Sequence, residues 1–203
     1  MPICRHLVLI ACVVALMGCS DDGAGTKDEP VRVAPKMEFG IKAEAAVDAK
    51  RVGPFEAKFD QMAFQVPEGW SEVELSPMQR GIIEARFSIP SDGADIVVTC
   101  SSVRGGIDAN VQRWQGQFQS SEPQPATESL DVGGTKVTWV DLQGTFSAGR
   151  VGSGGTNENW RMLGAAFAMT PSDYYVKLTG PKDQVAKVRD SFREFITSAR
   201  PKN

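Results

Sequence analysis

From Phe55 onward the chain is written in short apolar runs that stop at turn residues. Phe59–Val66 alternates loosely and ends at Pro67-Glu68-Gly69, with Trp70 next. Ile83–Ile89 sets Ala85, Phe87 and Ile89 against Arg86 and Ser88, then breaks at Pro90-Ser91-Asp92-Gly93. Asp95–Ser101 puts Ile96, Val98 and Cys100 on one face. Alternate residues of an extended strand point to opposite faces, so each run predicts a strand closed by a turn.

After Gly105-Gly106 the period lengthens. Asp108 suits an N-cap, and Val111, Trp114 and Phe118 recur at helical spacing, which predicts a helix over Ala109–Gln119. A polar loop with Pro123 and Pro125 follows. Ser129–Val132 and Thr135–Leu142 flank Gly133-Gly134, a pair able to supply the positive φ angles of a tight hairpin turn. Gly149–Asn159 reads as a glycine-rich loop. Trp160–Met169 is apolar on both faces, one large and one small, and predicts a central strand with something packed close on each side. Tyr174–Thr179 alternates again.

The last element opens at Pro181, in the place of a first-turn proline, and carries the stripe Val185, Val188, Phe192, Phe195, Ile196 among charged residues. It predicts a helix from Pro181 to about Ser198, its mixed charges a solvated face. Strands, a helix, four strands and a helix make an α+β domain, with a mainly antiparallel sheet and helices packed on it.

The N-terminus is of another kind. Met1–His6 holds Arg5, and Leu7–Met17 is an unbroken apolar run of eleven residues. A helix spanning ~30 Å of hydrocarbon needs ~20 apolar residues, so the run is too short to cross and reads as a secretory signal. Leu16-Met17-Gly18-Cys19 resembles the lipobox of bacterial lipoproteins. The resemblance implies that the Cys19 thiol receives a diacylglyceryl group, that the signal is cut before it, and that the new amino group is acylated as well, as with palmitate. Two or three chains hold a protein to a bilayer stably, where one does so only marginally. Residues 1–18 are then a signal peptide, 19–54 a lipidated cysteine and flexible tether, and 55–203 a single α+β domain. Ser20 to about Val52 has no sustained apolar period, with room for a short helical piece at Glu44–Lys50. In lipoproteins an Asp directly after the cysteine favours the inner membrane. Ser20 stands there, with Asp21 one further on, which leans towards an outer-membrane anchor facing the periplasm.

The order of elements, "FQVPEGW" and the closing "YYVKLTGPKDQVAKVRDSFREFITS" are similar to the Mog1/PsbP-like superfamily over about Phe55 to Ser198. That likeness implies an α/β/α sandwich and a leaning towards binding or assembly over catalysis, and it brings no shared active site. Function does not follow from fold alone.

Composition narrows the chemistry. With 203 residues, 41% hydrophobic and 23% charged, the chain has ordinary globular make-up. A net charge of −3 and no basic stripe give no reason to expect nucleic acid. The single histidine, His6, falls in the signal, which removes Ser-His-Asp and Cys-His catalysis and histidine metal sites from the mature chain. Of four cysteines, Cys4 and Cys12 go with the signal and Cys19 carries lipid. Cys100 is left as a lone thiol, expected to be buried and structural. No intramolecular disulfide or cysteine zinc site remains, and no calcium-loop pattern occurs. "GRVGSGGTNEN" lacks the Gly-Lys-Ser/Thr ending of a phosphate loop, and Asp108 would occupy the N–H groups that "VRGGIDAN" could offer an anion.

Trp114, Trp139 and Trp160 read as core residues more readily than as a sugar-stacking platform. Glu72, Glu74 and Glu84 are candidates for a two-carboxylate hydrolase only as any acid is. Catalytic residues, cofactor and metal are therefore expected to be none. The expectation is a lipid-anchored envelope protein whose domain binds a partner protein or supports an assembly. A carboxylate-dependent hydrolase acting on envelope material is the alternative, and a purely structural lipoprotein the third reading.

Overall fold

The computed structural model describes residues 49–94, 96–120, 124, 127–147 and 155–202. In chain order its elements are β1 (Ala49–Val52), β2 (Phe55–Lys58), β3 (Met62–Val66), β4 (Ser71–Val73), a 3₁₀ turn (Gln79–Gly81), β5 (Ala85–Ile89), β6 (Ile96–Val103), α1 (Ile107–Gln115), β7 (Phe118–Gln119), β8 (Glu128–Val132), β9 (Thr135–Ser147), β10 (Thr156–Phe167), β11 (Asp173–Pro181), α2 (Lys182–Lys187), α3 (Arg189–Thr197) and β12 (Arg200–Pro201).

The large sheet runs β1-β4-β5-β6-β11-β10-β9-β7, with β8 sharing the outer edge of β9, and a small sheet runs β12-β3-β2. The pairings are antiparallel throughout. On one face of the large sheet, α2, α3 and the small sheet close a core built on Trp70, Phe87, Phe64, Phe192 and Phe195. On the other face, Val111 and Trp114 of α1, with Phe118 just after it, pack on Leu142, Met162, Ala166 and Tyr175. The domain is the expected α+β sandwich of helix, sheet and helix, with the small sheet completing one outer layer.

Local chemistry accounts for most elements. Pro67-Glu68-Gly69 turns tightly, with Gly69 at φ 79 and the Trp70 N–H donating to the Pro67 carbonyl at 3.4 Å. The turn drops Trp70 into the core against Phe195, ring centroids 5.1 Å apart. Gly133 (φ 57) and Gly134 (φ 81) make the predicted two-residue hairpin, and Asp131 Oδ1 accepts the Gly134 N–H at 3.1 Å. β10 is central, as its two apolar faces require, and Trp114 sits directly over Gly164.

Five details differ from the sequence expectations. The predicted strand Phe59–Val66 is a hairpin turn followed by β3, because the Phe59 N–H bonds back to the Met62 carbonyl at 2.8 Å. The predicted helix Ala109–Gln119 is α1, two residues earlier and shorter. Gly106, not Asp108, is its N-cap, and Asp108 lies in the first turn, where a carboxylate favours the positive helix end. The chain then leaves the helix for β7, which lies so tightly on β9 that a Cβ at Gly144 would stand 2.2 Å from the Gln119 carbonyl oxygen. The final helix is two helices broken at Val188 (φ −106, ψ 7), which lets α2 pack on β10 and β11 and α3 turn onto β3. Pro181 ends β11 as the N-cap of α2 instead of starting the helix proper.

At the N-terminal end the sheet begins in the stretch that reads as tether, with Ala49–Val52 paired to β4. The expected helical piece at Glu44–Lys50 lies outside the described residues except for Ala49 and Lys50, which are strand. Of the glycine-rich stretch Gly149–Asn159, residues 149–154 lie outside the described residues and Thr156–Asn159 belong to β10.

Candidate binding cleft

The β4–β5 loop is short of regular structure yet closely tied. Ser76 and Gln79 cap each other, the Ser76 N–H donating to Gln79 Oε1 at 2.9 Å and the Gln79 N–H to Ser76 Oγ at 3.3 Å. This is the reciprocal logic of a capping box written as Ser-Pro-Met-Gln. Arg80 Nε donates to the Leu75 carbonyl at 3.1 Å and a terminal nitrogen to Glu74 Oε1 at 2.5 Å. The Glu84 N–H then reaches the Cys100 carbonyl at 2.8 Å and enters β5.

With Ser76, Gln79 and Arg80 bonded within it, the loop holds two large apolar side chains in solvent, Met78 at 76% exposure and Ile82 at 53%. Beside them lies a cleft of about 340 Å³ lined by Phe59, Asp60, Leu75, Arg80, Ile83 and Glu84. Its far wall is the β2–β3 turn, which Gln61 pins down: Gln61 Nε2 donates to Ser102 Oγ at 2.7 Å and Ser172 Oγ at 3.1 Å.

Glu84 is the chemically distinctive lining residue. Burial raises its carboxyl above the ordinary range and Asp60 adds to the effect, while the Tyr174 hydroxyl, donating to Oε2 at 3.1 Å, works the other way. Behind it, burial pushes both the Tyr174 phenol and the Cys100 thiol well up, so both stay protonated. Glu84 is the member of the trio that titrates. With Phe59, Leu75 and Ile83 forming the apolar part of the lining and Arg80 already engaged by Glu74, the Glu84 and Asp60 carboxylates favour a cationic or hydrogen-bond-donating visitor.

Of the three glutamates considered from sequence, Glu84 is in the cleft. Glu74 is on its rim, engaged by Arg80, and Glu72 stands elsewhere, bonded by Arg51 Nε at 2.6 Å. Asp60, which sequence reasoning passed over, joins Glu84. Its only signal was an acid and an amide, Asp60-Gln61, interrupting an apolar run. Cys100 is fully buried, as expected. The tryptophans form no platform: Trp139 is in the core under α3, while Trp114 and Trp160 belong to the core on the opposite face. Cys19 lies outside the described residues. Among the described residues no group of three or more acids, cysteines or histidines is placed to hold a metal, and no helix is long and apolar enough to cross a membrane. A second hollow, about 430 Å³, is lined by polar residues of β10 and α2 and by Asp92.

No protein-family model matches the chain, and no curated protein matches it. Among solved structures it is similar to the cyanobacterial PsbP (CyanoP) of Synechocystis sp. PCC 6803, at 15% identity over 81% of this chain and 99% of that one, TM-score 0.49. It is also similar to PA94 of Pseudomonas aeruginosa, a protein of unknown function, at 11% identity over 73% and 97%, TM-score 0.45. A Bacteroides thetaiotaomicron VPI-5482 structure aligns at 13% identity over 70% of this chain, TM-score 0.42, and the chain spans only 45% of that protein's length. These are likenesses of overall fold, and no residue of the cleft is carried over from them.

Proposed function

We propose that the chain is a lipid-anchored cell-envelope protein whose α+β domain binds a partner polypeptide at the cleft. The observation that carries the binding role is the pair Met78 and Ile82, held in solvent by a loop braced through Ser76, Gln79 and Arg80, at the edge of a hollow containing Asp60 and Glu84. Exposed apolar surface beside a hollow is the kind of surface a partner covers. The partner chemistry that fits is an apolar side chain beside a lysine or arginine, the first seated against Met78 and Ile82 and the second facing the two carboxylates. The anchor rests on Leu16-Met17-Gly18-Cys19, and Ser20 directly after the cysteine leans towards the outer membrane, facing the periplasm.

The cleft is tested by a photoreactive residue at position 78 in intact cells. One reproducible adduct is expected, and Met78→Glu with Ile82→Glu should reduce native co-purification of that partner tenfold or more, as for buried interface anchors. Failure to capture any defined protein would count against the binding role. For the anchor, Cys19→Ala should leave an uncut precursor without lipid, and a variant that still matures and still partitions with membranes sinks that part.

The hydrolase alternative has one observation behind it, the raised carboxyl of Glu84 beside Asp60 in a shared hollow. It requires Glu84→Gln to abolish turnover of envelope material, while the binding reading requires the glutamine variant to weaken partner capture.

A further inference from the structure

On the face of the large sheet opposite the cleft, β11, β6 and β5 align Lys177, Thr99 and Arg86 in a single cross-strand row. Neighbouring strands lie about 4.8 Å apart, so the two cationic residues stand roughly 10 Å apart at their backbones with a threonine between them. Both side chains are long enough to lean over that threonine from either side.

Among the described residues neither cation has an ion-pair partner. The ion pairs among the described residues all involve other lysines and arginines. Arg86 Nε is enclosed by the protein and bonds nothing. Lys177 is half-buried, and burial together with the Arg113 guanidinium pushes its ammonium below the ordinary lysine range. Arg113 comes from the last turn of α1, where it donates to Asn110 Oδ1. Asp173, the acid on this side, is engaged by the Tyr175 hydroxyl and the Met169 N–H, each at 3.3 Å. The Thr99 hydroxyl donates to the Lys177 carbonyl over a long 3.5 Å.

Cations gathered on one face whose nearby acid is engaged elsewhere repel one another, and an enclosed guanidinium N–H without an acceptor is costly. An oxyanion over the row answers the first. We propose that the Arg86–Thr99–Lys177 row is an anion site for a phosphate group, the Arg86 fork and the Lys177 ammonium donating to its oxygens above Thr99, with Arg113 at the margin. Guanidinium and ammonium donors to phosphate oxygens give short, charge-assisted hydrogen bonds. The phosphate is either a free phosphate compound or a lipid headgroup, both within reach of a membrane-tethered domain.

The test uses the full chain with two probes. Thermal unfolding is followed against inorganic phosphate, with sodium chloride at equal ionic strength as control, and binding to phosphatidylglycerol vesicles is compared with binding to phosphatidylcholine vesicles. Arg86→Gln and Lys177→Gln should each weaken phosphate binding about tenfold or more, whereas Arg189→Gln, at a half-buried position of α3 paired with Asp190, should leave it unchanged. A saturable phosphate effect lost in both variants supports the site with a soluble ligand. No phosphate effect, but a preference for phosphatidylglycerol lost in both variants, supports it with a headgroup. Neither effect, or effects that survive both substitutions, overturns the proposal. Arg86→Lys keeps the charge and removes the fork, and its intermediate affinity keeps the test readable should glutamine at position 86 unfold the chain.

Discussion

Replacing Gly164 by alanine isolates one contact on which the seat of α1 depends. A Cβ built at Gly164 would stand 2.6 Å from Trp114 Cζ3, 3.0 Å from Cε3 and 3.3 Å from Cη2. Carbon atoms rest at about 3.5–4.0 Å, so the new methyl overlaps the indole by roughly 1 Å. The strand cannot yield, because β10 is hydrogen-bonded to β9 on one side and β11 on the other. The indole has little room either, being 4% exposed and edge-on to Tyr175 at 5.9 Å. Overpacking of this kind costs about 1–3 kcal/mol. The backbone benefit of losing a glycine, about 0.5–1 kcal/mol, offsets part of it and leaves roughly 1–2 kcal/mol. At about 2–4 °C per kcal/mol for a domain of this size, the melting temperature should fall by roughly 2–8 °C.

Calorimetry of Gly164→Ala, Trp114→Leu and the double variant measures the contact itself. Trp114→Leu alone should be destabilising, and adding Gly164→Ala to it should cost little or nothing, a coupling of about 1–2 kcal/mol. A neutral or stabilising Gly164→Ala, or strict additivity in the double variant, would show that α1 does not press on β10 through this ring.

Three further outcomes are expected. Because burial raises the Glu84 carboxyl in the folded state, its contribution to stability is full below its unfolded value near 4.5 and is lost as pH rises through the folded value. Denaturation at a series of pH values should therefore find Glu84→Gln gaining on the parent from about pH 4.5 upward, and a constant difference would refute the assignment. Cys100 is fully buried with its thiol pushed well up, so in a chain carrying Cys4→Ser, Cys12→Ser and Cys19→Ser a thiol reagent should label it no faster than the domain unfolds. Rapid labelling in native buffer would contradict that packing. Arg161 grips Asp141 with two hydrogen bonds, 2.8 and 2.6 Å, in a site where each side chain is less than one-fifth exposed. Arg161→Met should cost about 1–3 kcal/mol in urea denaturation, and adding Asp141→Leu should recover much of it, since the lone carboxylate is what hurts.

Where a side chain's fate is set by its immediate neighbours, the sequence was legible. Pro67-Glu68-Gly69-Trp70, the Gly133-Gly134 hairpin, the two-faced apolar strand around Gly164 and the buried Cys100 all turn out as their local patterns require. The candidate cleft was half legible. Glu84 could be named but not ranked above Glu72 or Glu74, since nothing local distinguishes a glutamate that will be half-buried beside a tyrosine ninety residues away. Met78 and Ile82 gave no signal either, for exposure becomes informative only when the loop is seen to be braced through Ser76 and Gln79.

The sequence by itself thus determined the fold class, the α+β order of elements and the single histidine at His6, and it offers a lipobox-like stretch that nominates Cys19. Tertiary structure decided whatever depends on pairing between distant segments. β1, β4, β7 and β12 are two to four residues long and exist because a neighbouring strand supplies their hydrogen bonds. The stripe from Val185 to Ile196 reads as one helix, and it breaks at Val188 because its two halves meet different partners. Asp60 meets Glu84 across a cleft, and Arg86 lines up with Lys177 across Thr99, only once the strand registers are set. Periodicity tells which side of a strand faces inward. It is the register between strands that decides which charges share a surface.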